Sequence, residues 1–560
     1  MRLATKTLLL PVLLLWLTAV IVFYYWGHQY TLIPAIIAIL RLVLQLTVLG
    51  LIGVVAFGLG RLLSRVLRLA FISRFEEVVY SIGLGLGLMS LLALGFGLAG
   101  LIGRPLFWLL SLAIAGLTLV WLYRDWRRTS YPQGADREAL ERVDYLFLAF
   151  IVLVLLTGLL LALSPPIGWD GLSTHLVLVR DFLSDGRLSP SPYSDRPIVG
   201  HLVYTWGMAL GGDTLPQLLS YGQALLMVAA VAMFGQQHFG RRTAILAAAF
   251  LCSVEVFVIT ATWPYADLPT GMFGLLAILA LSNWQLGSAN RQIGQANRNL
   301  GQRSGRAWLI ASVIFAVFAA HSKLNGLFVY VALALGIGLG LWWRRHEIRD
   351  RLLDIAIAVA VGLPLAVIWT VVENLLKPES DNAVSQIAGA AASFTATGNE
   401  PGVTDLLARI GNYLVVIWEM TVIGQQGGLN YDGTISPFFL ILIPLLLILP
   451  SKHRVVWALL AAGLIVFAAW LLVPAGYYQN RHLIVVYPIF SILAAYFISR
   501  LPDLDHPRFS ISGFVRILIV LVFGLQLLFF LSWYQSLDPT AYLLGLQSRD
   551  HYLSAHLNGG

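Results

Sequence analysis

The 560-residue chain is poor in charge and contains only one cysteine. Asp, Glu, Lys and Arg together make up 11% of it, whereas about 25% is usual for a soluble domain. The single Cys252 excludes an intramolecular disulfide. No G-x-x-x-x-G-K-[ST] occurs, which excludes a P-loop ATPase module from this sequence. The composition therefore argues against a soluble globular protein.

The chain is rich in apolar residues. They make up 58% of the chain, and its mean hydropathy is +0.80. Apolar runs of about 17 to 25 residues recur, which is the length needed to cross a bilayer as a helix. They lack the alternation, about ten residues long, that is typical of a membrane β-barrel strand. The sequence predicts an all-α, polytopic transmembrane helical bundle.

The apolar runs predict about 15 spans and divide the chain into three parts. Residues 1–143 hold an N-terminal four-span block of unknown role, residues 144–534 the core, and residues 535–560 an outer tail. The N-terminal spans are 7–26, 34–60, 77–97 and 105–123. The core spans are 145–163, 216–235, 243–261, 269–284, 307–321, 326–343, 353–372, 435–450, 455–473, 483–499 and 513–533.

Positive charge orients the bundle. With the N-terminus in the cytoplasm, 26 of the 36 Lys and Arg fall on the inner side and nine on the outer side. Cytoplasmic loops are expected to hold this excess. The sequence thus predicts a multi-pass protein of the plasma (inner) membrane with long outer loops at 164–215 and 373–434. The net charge of +8 is explained by topology and anionic membrane lipids, so no nucleic-acid partner is needed.

The first outer loop opens with SPPIGWDGLSTHLVLVRDFL, residues 164–183. Asp170 precedes an apolar stripe at helical spacing, and Gly186 is a plausible helix end. The stripe consists of Leu172, Leu176, Val179 and Leu183. We interpret this stretch as an interfacial helix resting on the lipid headgroups. Asp170 is then either a helix N-cap, which needs no function, or a site residue.

Three further outer turns carry charge. ATWPYADLPTGMF (261–273) contains Asp267, which could also be an N-cap. AAHSKLNGLFV (319–329) contains His321 and Lys323, and AGYYQNRHLIVVYP (475–488) contains Arg481 and His482. Each cation alone could be a snorkelling anchor.

Together, however, ionisable groups at membrane depth are costly and mark substrate paths. Two carboxylates can abstract a proton or hold a divalent cation, and the cations suit a phosphate. The set indicates group transfer from a phospholipid-like donor.

Four short motifs, spread over about residues 144–500, resemble the GT-C superfamily of membrane glycosyltransferases. That group includes protein O-mannosyltransferases and the bacterial aminoarabinose transferase of lipid A. The motifs are P-P-x-x-W-D-G-L-x-x-H-L, Y-A-D-L-P, S-K-L-N-G and R-H-L-I-V-V-Y-P. Two positions depart from the family pattern, because Thr174 and His482 stand where tyrosine is common. These departures concern substrate identity more than the reaction.

The resemblance implies transfer of a hexose or pentose from a polyprenyl-phosphate donor. The reaction would take place at the extracytoplasmic face and invert the anomeric centre, with a lipid, glycan or protein as acceptor. Asp170 would be the general base, and Asp267 would orient the acceptor or, with Asp170, bind a divalent cation. Arg481 would hold the lipid phosphate. The further substrate contacts would be His175, Tyr265, His321, Lys323 and His482.

Other interpretations remain open. A lipid or polysaccharide transporter or flippase would show broken helices and paired internal repeats, and the sequence predicts neither. A non-catalytic membrane scaffold would tolerate replacement of both acids. In the second outer loop, the polar stretch 379–403 is either a connector or a lid over bound substrate. Residues 405–424 are predicted to be interfacial, since a span there would invert everything after them.

Overall fold

The computed structural model of the chain describes residues 2–125, 139–191, 197–286, 298–343, 345–377, 415–426, 429–430, 434–471 and 479–557. Regular structure in these ranges is helical apart from one antiparallel pair of two-residue strands, β1 (Gln425–Gln426) and β2 (Leu429–Asn430). The all-α prediction is confirmed. The stretch 379–403, for which a connector and a lid were both left open, lies outside the described residues.

The described ranges contain twenty α-helices. They are α1 (Arg2–Gly27), α2 (Gln29–Leu67), α3 (Arg74–Leu98), α4 (Arg104–Asp125), α5 (Arg142–Ala162), α6 (Leu176–Asp185), α7 (Val199–Gly211), α8 (Thr214–Phe239), α9 (Arg241–Cys252), α10 (Glu255–Ala261), α11 (Asp267–Leu286), α12 (Arg298–Ala320), α13 (Leu327–Trp343), α14 (Ile348–Leu376), α15 (Phe438–Ile448), α16 (Arg454–Leu471), α17 (Val486–Ser499), α18 (Ile511–Leu537), α19 (Thr540–Leu543) and α20 (Arg549–Leu557).

The protein is a polytopic helical membrane protein. Within the described ranges, nine helices are long and apolar enough to cross a membrane, or ten if one bent pair counts as a single span. Each of the 15 predicted spans overlaps at least one of the helices. Several of these helices, such as α15 and α17, are shorter than a usual span. The number of crossings therefore stays a prediction.

One predicted span, 243–261, is broken. Its halves α9 and α10 meet at an angle of 74°, so the prediction that no helix is broken was wrong. Side chains satisfy the polar groups at the break, as a break at membrane depth requires. The Glu255 carboxylate accepts hydrogen bonds from the N–H and hydroxyl of Thr434 at 3.2 and 2.6 Å. The hydroxyls of Ser253 and Ser436 are 2.9 Å apart.

The first outer loop contains two helices, and only one of them was predicted. Helix α6 ends where expected, since Gly186 adopts a left-handed φ of 69°. Its apolar face does not lie on the headgroups, because Leu176, Val179 and Phe182 are fully buried and α6 packs against α7. Helix α7 was missed because, at 13 residues, it is too short to span a membrane.

The N-terminal block packs against this outer loop. Helix α3 lies against α7, and two backbone hydrogen bonds join the turn after α3 to the end of α6. The N–H of Ile102 donates to the Gly186 carbonyl at 2.8 Å, and the N–H of Leu188 donates to the Gly97 carbonyl at 3.1 Å. Helix α3 and the turn after it therefore support the loop that carries Asp170.

The charged side chains described here pair with partners on the same predicted side of the membrane. At the predicted inner end, Glu141 pairs with Arg242 at 2.6 Å and with Arg516 at 2.8 Å. At the predicted outer end, Asp213 pairs with Arg549 of the C-terminal tail at 2.6 Å, and with Arg180 of α6 at 3.4 Å. These contacts bring together the ends that the charge distribution assigns to the same side.

One ion pair bears on the interfacial interpretation of residues 405–424. Glu141 precedes this segment and Arg516 follows it, and their side chains are 2.8 Å apart at one end of the bundle. The interfacial interpretation predicts these two residues on the same side of the membrane. The described part of the segment, from residue 415, is a short helical stretch ending in a wide turn at Glu419–Ile423. Whether residues 405–424 span the membrane stays a prediction.

Absolute orientation can be tested with single cysteines in a Cys252→Ala background. We expect Ser184→Cys, at an exposed position of α6, to react with a membrane-impermeant maleimide added to intact cells. Arg508→Cys, exposed between α17 and α18, should react only in inverted vesicles. Both outcomes follow from the distribution of Lys and Arg. The reverse pattern would place Asp170 and Arg481 in the cytoplasm and contradict the predicted orientation.

Candidate functional site

Four turns that the sequence predicts to face outward converge at one end of the bundle. Asp170 lies in the helical turn before α6, and Asp267 begins α11 after the short turn 262–266. Lys323 lies between α12 and a 3-10 turn, Leu324–Gly326. Arg481 lies in the 3-10 helix Asn480–Leu483, just before α17. The structure thus brings together side chains that are up to 311 residues apart in sequence.

Asp170 and Arg481 form an ion pair. An Arg481 Nη2 lies 2.7 Å from Asp170 Oδ2, and the guanidinium also donates from Nε and Nη2 to Gln479 Oε1 at 2.9 and 2.8 Å. The backbone of Asp170 is helical and its side chain makes no capping bond. The Arg481 side chain is 9% exposed. The N-cap and snorkelling interpretations of these two residues were therefore wrong.

Tyr265 lies against both partners of this pair. The N–H of Asp170 donates to the Tyr265 hydroxyl at 3.2 Å, and the Arg481 guanidinium carbon lies 5.0 Å from the ring centre. The Tyr204 hydroxyl donates to the Tyr265 carbonyl at 2.6 Å. Burial, and then the negative charge of Asp170, raise the pKa of Tyr265 well above its ordinary value. Its hydroxyl therefore stays protonated and can still donate a hydrogen bond.

Glycines on either side of Trp169-Asp170 permit this close approach. A methyl group on Gly168 would lie 3.0 Å from the Trp263 ring and 3.1 Å from the Tyr265 hydroxyl. On Gly171 it would lie 3.1 Å from Pro264. Such distances are tighter than ordinary van der Waals contact. The G-W-D-G sequence therefore lets the W-P-Y turn pack directly on the segment that holds Asp170.

A second ion pair joins Asp267 and Lys323. Their Oδ1 and Nζ atoms are 2.7 Å apart, and Asp267 is completely buried. The other oxygen of Asp267 has no hydrogen-bond partner in the part of the chain that is described. Burial lowers the pKa of Lys323 below its ordinary value, and Asp267 opposes that effect. Neither residue caps a helix or snorkels, so those interpretations were also wrong.

Two histidines lie next to Tyr265. His175 Nδ1 is 2.8 Å from His201 Nε2, and His201 Nδ1 is 3.1 Å from the Pro197 carbonyl oxygen. The rings of His175 and Tyr265 are 5.5 Å apart. The sequence analysis named His175 and missed His201, although a lone histidine in the apolar stretch VGHLVYTW was a usable signal. It also missed Gln479, which holds Arg481.

The two remaining predicted contact residues, His321 and His482, belong to neither ion pair. His321 Nδ1 is 2.9 Å from Glu373 Oε2 of α14, so its ring is engaged by that helix. His482 lies close enough to Asp267 to act on its charge, and its carbonyl accepts a hydrogen bond from Asn325 at 3.0 Å. The structure thus places His482 near the second ion pair, whereas it places the His321 ring against α14.

The two acids are each matched by a cation rather than by one another. Asp170 faces Arg481, and Asp267 faces Lys323. Among the described residues, no three His, Cys, Asp or Glu side chains are grouped closely enough to hold a metal ion. Each acid is thus held by a cation, and the binding of a divalent cation by Asp170 and Asp267 stays a prediction.

The chain is therefore a polytopic membrane protein with a buried charged site at one end of its helical bundle. No protein-family model and no curated protein sequence matches it. Solved structures similar to it include ArnT from Cupriavidus metallidurans bound to undecaprenyl phosphate, with 16% identity over 74% of this chain and 77% of that chain, at a TM-score of 0.43.

The archaeal oligosaccharyltransferase AglB from Archaeoglobus fulgidus, in complex with an inhibitory peptide and a dolichol-phosphate, is also similar. Its identity is 15% over 72% of this chain and 56% of that chain, at a TM-score of 0.40.

The buried ion pair can be tested by stability. We expect Lys323→Met to lower the free energy of unfolding by about 3–5 kcal/mol, because Asp267 is left buried without an opposite charge. The double variant Asp267→Asn/Lys323→Met should recover most of this loss. Lys452→Met, at an exposed position, is the matched control. The free energy of unfolding of all three variants is measured in detergent. A Lys323→Met variant as stable as the Lys452→Met control would contradict the pairing.

Proposed function

We propose that the protein is a membrane glycosyltransferase that moves a sugar from a polyprenyl-phosphate donor to an acceptor hydroxyl at the extracytoplasmic face. The 2.7 Å contact between Asp170 and Arg481 carries the proposal. A carboxylate can take the hydroxyl proton, and a guanidinium can bind the leaving phosphate through two parallel hydrogen bonds. The two groups are therefore close enough to act on one complex of donor and acceptor.

An apolar cavity lined by Leu483, two residues after Arg481, suits the hydrocarbon part of such a donor. It has a volume of about 130 Å³ and lies between α15, α16, α17 and the segment 417–421. Met420, Phe439 and Tyr487 line it as well. A cation next to an apolar cavity matches an amphiphile whose phosphate is joined to a lipid chain. A free nucleotide sugar has no hydrocarbon chain that could fill this cavity.

The reaction would use the two residues of the ion pair in sequence. Asp170 accepts the proton of the acceptor hydroxyl, whose oxygen attacks the anomeric carbon of the donor sugar. The bond from that carbon to the phosphate oxygen breaks, and its electron pair leaves with the lipid phosphate. Arg481 stabilises the phosphate as its charge increases. Because Arg481 pairs with Asp170 when no donor is bound, donor phosphate competes with Asp170 for the guanidinium.

The second ion pair would orient the acceptor. Asp267 is held by Lys323 through one oxygen, while its other oxygen has no hydrogen-bond partner in the described part of the chain. Such a buried acceptor atom can bind a hydroxyl of a substrate. We therefore assign Asp267 to acceptor binding and Lys323 to holding it in place. Inversion at the anomeric carbon is implied by the GT-C resemblance and is part of the same proposal.

One observation favours transport as an alternative function. The break between α9 and α10 resembles the discontinuous helices that line transporter binding sites. Its Glu255, however, is hydrogen-bonded to Thr434 of the same chain. Proteoliposomes loaded with polyprenyl-phosphate sugar distinguish the two functions. Movement of the lipid across the bilayer without formation of a glycosylated acceptor would favour transport.

Asp170→Asn tests the general base. Asparagine has nearly the same size but cannot take a proton, so transfer should fall by about two to four orders of magnitude. The measurement is the transfer rate with a panel of polyprenyl-phosphate sugars at saturating donor. Thermal unfolding in detergent shows whether the fold persists. Near-normal turnover in a stably folded variant would remove Asp170 from the reaction.

Arg481→Lys tests the phosphate contact. Lysine keeps the positive charge and its attraction to Asp170, but it cannot reproduce the planar fork that also binds Gln479. We expect donor KM to rise by about tenfold or more, because the bidentate geometry is lost. Arg508→Lys, exposed at the opposite end, is the matched control. Unchanged donor KM would show that Arg481 does not bind the phosphate.

A further inference from the structure

A second cavity lies at the other end of α5 from Asp170, at the predicted inner end of the bundle. Its volume is about 410 Å³, and it lies between the start of α5 and the first turns of α18. Three of its lining residues are charged, namely Glu141, Arg142 and Arg516, and the others are apolar. The proposed reaction uses none of them, so this cavity needs an explanation of its own.

The charged and apolar lining residues follow one another along α18. Arg516 lies in the second turn of the helix, and Val520 and Leu521 come four and five residues later. At a rise of about 1.5 Å per residue, these two lie about 6 Å or more deeper in the membrane than Arg516. Leu521 is 58% exposed. The cavity thus passes from charged to apolar over the depth at which a phospholipid headgroup meets its acyl chains.

The arginines near this cavity outnumber the acids that balance them. Arg242 and Arg516 lie 2.6 and 2.8 Å from the same oxygen, Glu141 Oε2. Arg242 also contacts Asp144 at 3.1 Å. Arg142 is exposed, and none of the residues in the described ranges forms an ion pair with it. Three arginines therefore stand against two acids, which leaves an excess of positive charge around the cavity.

We propose that this cavity binds an anionic phospholipid of the inner leaflet. Its phosphate lies on Arg142 and Arg516, and an acyl chain lies along Val520 and Leu521. Guanidinium groups bind phosphate oxygens through parallel hydrogen bonds, and basic pockets between transmembrane helices on the cytoplasmic side bind anionic headgroups. The proposal does not depend on glycosyl transfer, because it concerns the opposite end of the bundle.

The bound lipid would strengthen the contact between α5 and α18. About two turns deeper than Arg516, the ring of Phe523 already packs on α5, with centroids 5.5 Å from Phe147 and 4.4 Å from Phe150. At the cavity, Glu141 and Arg516 form an ion pair whose side chains are 47% and 37% exposed. An ion pair exposed to this degree contributes little to stability. A phosphate held by both helices adds a second link between them.

Lipid binding by the purified protein tests the site. Native mass spectrometry in detergent should show that phosphatidylglycerol binds more tightly than phosphatidylcholine with the same acyl chains. Phosphatidylglycerol should also raise Tm, since it binds the folded state. Arg142→Gln should weaken phosphatidylglycerol binding by about fivefold, the contribution of one arginine near an anionic lipid, and Arg142→Lys should retain most of it. Arg508→Gln removes an equal charge from an exposed position at the same end and is the matched control.

A larger side chain in the apolar part of the cavity distinguishes a lipid from a free anion. Val520→Trp leaves the arginines in place but occupies the space of the acyl chain, so it should also weaken phosphatidylglycerol binding. Inorganic phosphate should not reproduce the rise in Tm of the unmodified protein, because it has no acyl chain to bury. The Tm of each variant without added lipid shows whether its fold persists.

Three results would overturn the proposal. Equal binding of phosphatidylglycerol by Arg142→Gln and Arg508→Gln would mean a general attraction to the basic end of the protein. Equal affinity for phosphatidylcholine would exclude an anionic headgroup as the basis of binding. A rise in Tm with inorganic phosphate as large as that with phosphatidylglycerol would indicate an ion site. If Arg142→Gln does not fold, unchanged lipid binding by Val520→Trp overturns the site, and weakened binding supports it.

Discussion

A charge buried in a membrane protein is tolerated only beside an opposite charge, and this constraint determines how the outer turns meet. Asp170 requires Arg481, and Asp267 requires Lys323. Each pair joins two turns that belong to different helices. Because one member of each pair, Arg481 or Asp267, is buried, separating the turns would leave a buried charge without its partner. The same contacts therefore hold the four charged groups of the site close together.

The sequence could predict the class of fold and the side chains of the site, because both depend on local composition. Apolar run length identifies helices without knowledge of their neighbours, and a charge at the end of such a run is visible at once. The partners could not be predicted in the same way. Asp170 and Arg481 are 311 residues apart and no periodicity links them, so the N-cap and anchor interpretations were equally consistent with the sequence.

Two errors of the fold prediction have a common physical cause. Helix α7 was assigned to a loop because its 13 residues cannot cross a bilayer, and the break before Glu255 lies within residues 243–261, which were predicted as one span. Hydropathy reports whether a segment avoids water, but it does not report what the segment packs against. His201 was missed for this reason, since its partner His175, in the π-helical turn before α6, makes a buried histidine acceptable in an apolar helix.

The link from Asp213 to Arg180 and Arg549 has a consequence for biogenesis. Arg549 follows Asp213 by 336 residues, so the ribosome must deliver every intervening helix to the membrane before this link can close. During that interval, the contacts of α6 with α7 and with the turn after α3 are already available. Helix α3, which is made before α6, can therefore hold the loop that carries Asp170 in place until Arg549 is synthesised.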